Sequence, residues 1–158
     1  MSILLTGASG YIGSHIAVEL LEQNFSVIIV DNLSNSSQEI INTINKITNK
    51  KLFFYQNDIS DEKSLENIFS NHTIISVIHL AGLKSVNESI INPIHYYENN
   101  IRSTLSLIKI MKKYNCYNLI FSSSATVYGN ASVPLSEDSQ IGIGITNPYG
   151  KTKLMIEE

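Results

Sequence analysis

"ILLTGASGYIGSH", residues Ile3 to His15, sets an apolar run of strand length directly against three glycines and a stretch of helical spacing. Gly7, Gly10 and Gly13 stand at G-x-x-G-x-x-G. Where a strand turns into a helix, glycines let the main chain approach a pyrophosphate, and the unpaired N–H groups of the helix start attract its charge. A glycine triplet alone also serves a tight turn that binds nothing. Its position adds weight, because it closes the first strand of the chain and the second strand ends in an acid, Asp31 of "VIIVDNLSNS". A carboxylate at that tip accepts hydrogen bonds from both hydroxyls of an adenosine ribose and repels a 2′-phosphate, which favours NAD over NADP. The plainer reading leaves Asp31 as a loop cap.

Outward from this turn, short apolar runs alternate with longer segments of helical period about five times. The spacing predicts strands over Ile3 to Thr6, Val27 to Val30, Leu52 to Gln56, Ser76 to Leu80 and Asn118 to Ser122. Most are nearly continuous in apolar residues, as expected of a parallel sheet covered on both faces. Helices are predicted from about Tyr11 to Gln23, Gln38 to Ile47, Glu62 to Phe69 and Asn99 to Tyr114, with a last one beginning near Pro148. In "SDEKSLENIF" Ser60 reads as an N-cap ahead of first-turn acids, and "NPYGK" places proline at a helix start. Gly142 and Gly144 mark an irregular loop between Tyr128 and Asn147, where such a fold keeps its site. The fold class is α/β, a Rossmann-like doubly wound parallel sheet.

The 158 residues suit one domain with a hydrophobic core, and no linker, repeat or low-complexity segment divides them. Apolar residues at 43% and charged residues at 16% describe a folded globular chain. A net charge of −3 without blocks of like charge gives nothing to attract nucleic acid or an anionic membrane surface. The single cysteine, Cys116, excludes an internal disulfide and a cysteine metal cluster and fits a reducing cytoplasm. It reads as packing. No apolar span of membrane length occurs, and "ILLTG" is too short for a signal peptide.

Further candidates sit at the predicted strand ends. In "QNDIS" the pair Asp58 and Ile59 can flank an adenine ring by hydrogen bond and apolar contact, although Asp58 by itself suits a helix cap or loop. "HLAGLKS" carries Leu80, the small residues Ala81 and Gly82, which let a cofactor lie across the strand end, and Lys84, which can meet phosphate or simply be solvated. Tyr149 and Lys153 of "NPYGKTKLMIEE" lie at i and i+4, on one helix face. An ammonium beside a phenol stabilises the phenolate and moves it towards general-base duty. The spacing also arises by chance. What favours chemistry is the placement after the fifth strand and the polar turn "SSSATVYG", in which Ser124 can bond the same substrate oxygen. The four histidines show no metal spacing, and neither H-E-x-x-H nor G-x-S-x-G occurs. The aromatics of "NPIHYYENN" read as packing, since no basic residues accompany them to hold a nucleic-acid backbone.

Taken together, "TGASGYIGSH", "DNLSNS", "DIS", "HLAGLKSVNES", "YYENN", "FSSSATVYG" and "NPYGKTKLMIEE" resemble the extended short-chain dehydrogenase/reductase family, and within it the UDP-glucose 4-epimerases. The motifs run in family order over the whole chain. The resemblance implies that the glycines and Asp31 bind NAD, that Tyr149 is the acid/base, that Lys153 holds the nicotinamide ribose and tunes the tyrosine, and that Ser124 assists proton transfer. It further implies cofactor contacts at Tyr11, Ile12, Asn32, Asn35, Ser36, Asp58, Ile59, Leu80, Ala81, Gly82, Lys84 and Asn99. Nucleotide-sugar 4,6-dehydratases share the fold but need an Asp-Glu pair just after the fifth strand, where this chain has Ala125 and Thr126.

The implied activity is interconversion of UDP-glucose and UDP-galactose through a 4-keto sugar, in the cytoplasm, by a homodimer. Another NAD-dependent nucleotide-sugar epimerase or dehydratase remains an alternative, as does an NAD-binding module without enzymatic activity. Members of that family are longer chains. The expectation is therefore an NAD-binding Rossmann domain over residues 1–158 that is C-terminally truncated, without a substrate domain, inactive alone and with the family's dimer in doubt.

Overall fold

The computed structural model describes every residue from Met1 to Glu158. Strands β1 (Ser2–Thr6), β2 (Ser26–Asp31), β3 (Phe53–Gln56), β4 (Ile74–His79) and β5 (Leu119–Phe121) form one sheet in the order β3-β2-β1-β4-β5. All four pairings are parallel. Chain order runs outward from β1 in both directions, so the crossover from β3 to β4 makes the carboxyl ends of β1 and β4 a topological switch point. Helices α1 (Tyr11–Glu22), α2 (Glu39–Thr48), α3 (Glu62–Asn71), α4 (Val86–Ile91), α5 (Pro93–Lys113) and α6 (Pro148–Glu157) complete the chain. Two compact units result, Met1–Ala81 with Leu105–Ser122 and Gly82–Thr104 with Ser123–Glu158.

The first unit holds the whole sheet. Successive side chains of a strand point to opposite faces, and both faces are apolar here. Leu4, Ile28, Val30 and Val77 pack against Leu65, Ile68 and Phe69 of α3 and Leu107, Ile110 and Met111 of α5. Their neighbours Ile3, Leu5, Val27 and Ile29 pack on the other face against Ala17 and Leu21 of α1 and Ile41 and Ile44 of α2. Each such side chain contributes roughly 1.5–3 kcal/mol on burial, which fixes the strand register and with it the positions of the loops at the strand tips. Cys116 belongs to the first cluster, and burial pushes its thiol up from the ordinary range. It is a packing residue, as its solitary occurrence suggests.

The strand limits lie within one residue of expectation except in β4, which begins at Ile74, two residues early. Helix starts depart more. The cap of α3 is Asp61 and not Ser60: the Asp61 carboxylate accepts the N–H groups of Lys63 (3.0 Å) and Ser64 (3.3 Å), while Ser60 gives its own N–H to Asp58 at 2.8 Å. A charged acceptor at the positive end of a helix outcompetes a hydroxyl one residue earlier. Helix α4 has no counterpart among the expected elements, and α5 starts at Pro93 and not near Asn99. Both starts carry local signals. Ser85 accepts the N–H of Glu88 at 3.3 Å, as in the Ser-x-x-Glu capping pattern, and Pro93 opens its helix where no N–H is needed.

The second unit contains α4, the first half of α5, a 3₁₀ turn at Ala125–Tyr128, the irregular segment that follows it, and α6. Asn147 caps α6 by accepting the N–H of Gly150 at 2.7 Å, with Pro148 at the first helical position. No helix is long and apolar enough to cross a membrane.

Candidate functional site

In the first unit the turn from β1 into α1 is held from two sides. Gly7 has φ +69°, and a Cβ there would stand 2.6 Å from the Cα and N of Ala81. A Cβ on Gly13 would stand 2.5 Å from the Cα of Ala8. Only glycine fits either place, so the turn lies tight against the end of β4 and α1 sits close on the turn. The side chain of Asp31, 8% exposed at the tip of β2, accepts the N–H of Ser9 at 2.9 Å through Oδ2 and that of Leu33 at 2.9 Å through Oδ1. Ser36 adds a longer bond to Oδ1 at 3.4 Å. Three of the four acceptor sites of the carboxylate are thereby used, which leaves one at Oδ2, with a second at Oδ1 when the long Ser36 bond is exchanged for another donor.

Around this centre Asn32 donates to Asp58 at 3.1 Å, and Asn32, Asn35 and Asp58 lie at the rim. Tyr11 and Ile12 are 78% and 60% exposed at the start of α1. Leu80 and Ala81 are half-buried. Ile59 differs from its expected part: only 7% exposed, it packs with the α3 and α5 side of the core, which leaves it little surface for an adenine ring.

Two residues not anticipated from sequence shape the same turn. Thr6 and His79 bond through Oγ1 and Nδ1 at 2.7 Å, and Thr6 Oγ1 also accepts the N–H of Ala81 at 3.3 Å. This ties the ends of β1 and β4 together beneath Gly7. Sequence shows a polar residue at the end of each strand, but not the register that pairs them.

In the second unit Ser124 precedes the 3₁₀ turn and accepts the N–H (3.2 Å) and the hydroxyl (2.9 Å) of Thr126. Thr126 packs on the first turn of α6, where a Cβ on Gly150 would lie 3.0 Å from Thr126 Oγ1. Gly150, next to Tyr149, thus admits the serine-bearing turn to the tyrosine-bearing helix. Tyr149 is half-buried, and the Nζ of Lys153 lies 5.8 Å from its ring centre, within the range of cation–π attraction. Lys153 is 5% exposed, and burial lowers its pKa from 10.5 to about 8. An ammonium so placed retains its charge at neutral pH while being near the point of losing it. Lys84 is exposed and Asn99 half-buried. The residue after Asn99, Asn100, is 3% exposed and bonds Leu83 and Thr152.

These features suit a dinucleotide. The glycine turn packs so closely that no Cβ fits at Gly7 or Gly13, the Asp31 carboxylate stands beside it with acceptor capacity left, and buried Ser9 Oγ in the same turn has no hydrogen-bond partner within the protein. No group of three or more His, Cys, Asp or Glu side chains is arranged to hold a metal ion.

A doubly wound parallel sheet with a glycine turn after β1 and an acid at the end of β2 defines a Rossmann-like dinucleotide-binding fold. The chain belongs to the family described as GDP-mannose 4,6 dehydratase, whose model matches residues 4–158. It is 54% identical over 159 aligned residues to a UDP-glucose 4-epimerase of Yersinia enterocolitica, covering 100% of this chain and 47% of the relative. The UDP-glucose 4-epimerase of Bacillus subtilis is 48% identical, with 100% of this chain and 46% of the relative covered. Among solved structures, a UDP-glucose 4-epimerase from Bifidobacterium longum in complex with NAD+ and UDP superposes with a TM-score of 0.97 at 47% identity, over 99% of this chain and 47% of that one. The chain spans about half the length of the curated relatives it matches.

Proposed function

We propose that this chain binds NAD and supplies the acid/base residues of a UDP-glucose 4-epimerase, interconverting UDP-glucose and UDP-galactose. The observation that supports the reading is the Asp31 carboxylate bonded to the Ser9 N–H of the glycine turn, because a ribose and the pyrophosphate attached to it would need their acceptor and their donors side by side. In this reading Gly7, Gly10 and Gly13 face the pyrophosphate, with Tyr11 and Ile12 beside it at the start of α1. Asp31, Asn32, Asn35 and Ser36 hold the adenosine ribose, and Asp58 borders the adenine together with the main chain of Ile59, whose side chain is packed in the core. Leu80, Ala81, Gly82, Lys84 and Asn99 line the rest of the dinucleotide.

NAD held by these residues would supply the two-electron redox chemistry needed at C4 of the sugar. Tyr149 accepts the proton of the sugar 4-hydroxyl and later gives it back, so the two sugars interconvert without net oxidation. Ser124 bonds the same oxygen and holds it in line with the phenol. Lys153 contributes positive charge beside the Tyr149 ring and grips the nicotinamide ribose. The protein's part is orientation and charge placement.

The family description names a dehydratase, and elimination of water from a 4-keto sugar needs its own acid and base. At the positions after β5 where dehydratases carry Asp and Glu, Ala125 and Thr126 offer no carboxylate, which favours epimerisation. The proposal includes a cytoplasmic location and, as a separate element for sedimentation to test, a homodimer. Incubation with NAD and UDP-galactose, with Tyr149→Phe as control, tests the activity. UDP-glucose formed only by the unsubstituted protein supports the reading, a 4-keto-6-deoxy sugar supports the dehydratase, and NAD uptake without either product restricts the chain to cofactor binding.

A further inference from the structure

Within the second unit one face of α5 grips the chain on both sides of Lys84. Asn100 Oδ1 accepts the N–H of Leu83 at 2.8 Å, and its Nδ2 donates to the carbonyl of Leu83 at 3.0 Å. One turn earlier on the same helix, the hydroxyl of Tyr96 accepts the N–H of Ser85 at 3.0 Å and donates to Glu88 Oε2 at 2.8 Å. The spacing i and i+4 puts the two side chains on one face. The peptides before and after Lys84 are both bonded to them, while its own side chain is exposed.

Two features argue against incidental packing. Every hydrogen-bonding group in the set has a use, with no freedom of assignment. The second proton of Asn100 Nδ2 goes to Thr152 Oγ1 at 3.1 Å, and Thr152 passes its own proton to the carbonyl of Tyr149 at 2.7 Å. A rotated amide would set two carbonyl oxygens, Asn100 Oδ1 and Leu83 O, against each other. The second feature is depth: Tyr96 is 0% and Asn100 3% exposed, so these bonds lie away from competing water, where a missing partner is expensive. A Cβ on Gly82 would stand 3.1 Å from Asn100 Oδ1, so the chain approaches this face as closely as glycine permits. Burial and the Glu88 bond raise the Tyr96 pKa, keeping its hydroxyl protonated and able to serve both partners.

We propose that Tyr96 and Asn100 are positioning residues that present Lys84 to the anionic part of the bound dinucleotide, and that Asn100, through Thr152, sets the Lys84 loop in fixed relation to the helix of Tyr149 and Lys153. The proposal rests on the functional reading above, in which NAD is the ligand and Lys84 touches it. Both side chains are buried and fully used in bonds within the protein. Their contribution is to hold the Leu83 to Ser85 main chain before the ligand arrives, so that binding does not have to order it.

The test is a double-mutant cycle on NAD affinity, read by calorimetry with the whole chain. Tyr96→Phe removes one oxygen and leaves the buried ring, and is expected to weaken NAD binding roughly three- to tenfold. In a Lys84→Met background the same change is expected to matter less than about twofold, because the group being positioned is gone. An equal loss in both backgrounds, or no loss in either, overturns the proposal and leaves the functional reading standing. If the unsubstituted protein takes up no NAD, the functional reading fails first. Should Tyr96→Phe not fold, Asn100→Asp passes through the same cycle. Amide exchange in the ligand-free protein adds a check without substitution: the Leu83 and Ser85 protons are expected to be protected, and exchange at free-peptide rates would contradict the grip.

Discussion

The N–H of Ser9 donates to Oδ2 of Asp31 at 2.9 Å, so the glycine turn after β1 and the acid at the end of β2 form one hydrogen-bonded piece. The bond makes Asp31 serve two ends. It braces the turn and, in the proposed function, uses its remaining acceptor site at Oδ2 for a ribose hydroxyl. An asparagine at this position would keep one acceptor oxygen but halve the acceptor capacity of the side chain. Asp31→Asn is expected to weaken NAD roughly 10- to 100-fold, the range for a bond to a charged group. The discrimination against NADP should narrow as the repelling charge disappears. Calorimetric titration with both dinucleotides measures the two effects together.

Gly7 is the position least able to accept a side chain, since the strain of φ +69° and a contact of 2.6 Å with the main chain of Ala81 act together. Gly7→Ala should lower stability by about 2–4 kcal/mol, more than the backbone term alone, because the obstructing atoms belong to a strand end that cannot rotate away. The urea midpoint reads the loss.

Lys153 gives the fold a signature in alkali. Its folded pKa of about 8 lies below its unfolded value of 10.5 because burial penalises the ammonium. Between those values the unfolded chain binds more protons than the folded one, so the lysine's contribution makes stability rise with pH through that window and become constant below it. Fully expressed, the cost at neutral pH is on the order of 3 kcal/mol. Lys153→Met should therefore show a flatter difference between stabilities measured near neutrality and in alkali than the unsubstituted protein. Urea unfolding at a series of pH values isolates this against the titration of other groups.

Tyr149→Phe removes only the hydroxyl proposed to carry the proton. NAD affinity should change little, while any epimerisation should fall by about 100- to 10,000-fold, the usual span for loss of a general acid/base. Product analysis of UDP-galactose incubations checks the rate, and the NAD titration of the same variant verifies that the fold is intact.

The parts of the molecule that are legible in sequence are those set by local pattern. Two-sided apolar runs such as "SVIIVD" locate strands within a residue or two, and "NPYGK" locates the start of α6 through Asn147 and Pro148. Helix α4 has a readable cap in Ser85 and Glu88, but its six residues are too few to show a period. The start of α5 is obscured in the same way, despite Pro93. Asp61 and Ser60 compete for one cap, and sequence order alone does not say which one reaches the free N–H groups.

Less legible are bonds between residues far apart in the chain. Thr6 and His79, or Asn100 and Thr152, meet only because strand register and helix packing bring them together. Ile59, expected beside an adenine, has its side chain among the core residues of α3 and α5, a placement its position in a turn does not announce. The glycines and the Tyr-Lys spacing are plain in the sequence. What gives them physical content is the closeness of Ala81 to Gly7 and the burial of Lys153.

Titration of NAD into the purified chain, followed by calorimetry, tests the central claim most directly. The account predicts saturable binding of one NAD per chain, weakened at least about tenfold by Asp31→Asn. An absence of binding by a protein whose circular dichroism and cooperative unfolding show it to be folded would contradict it.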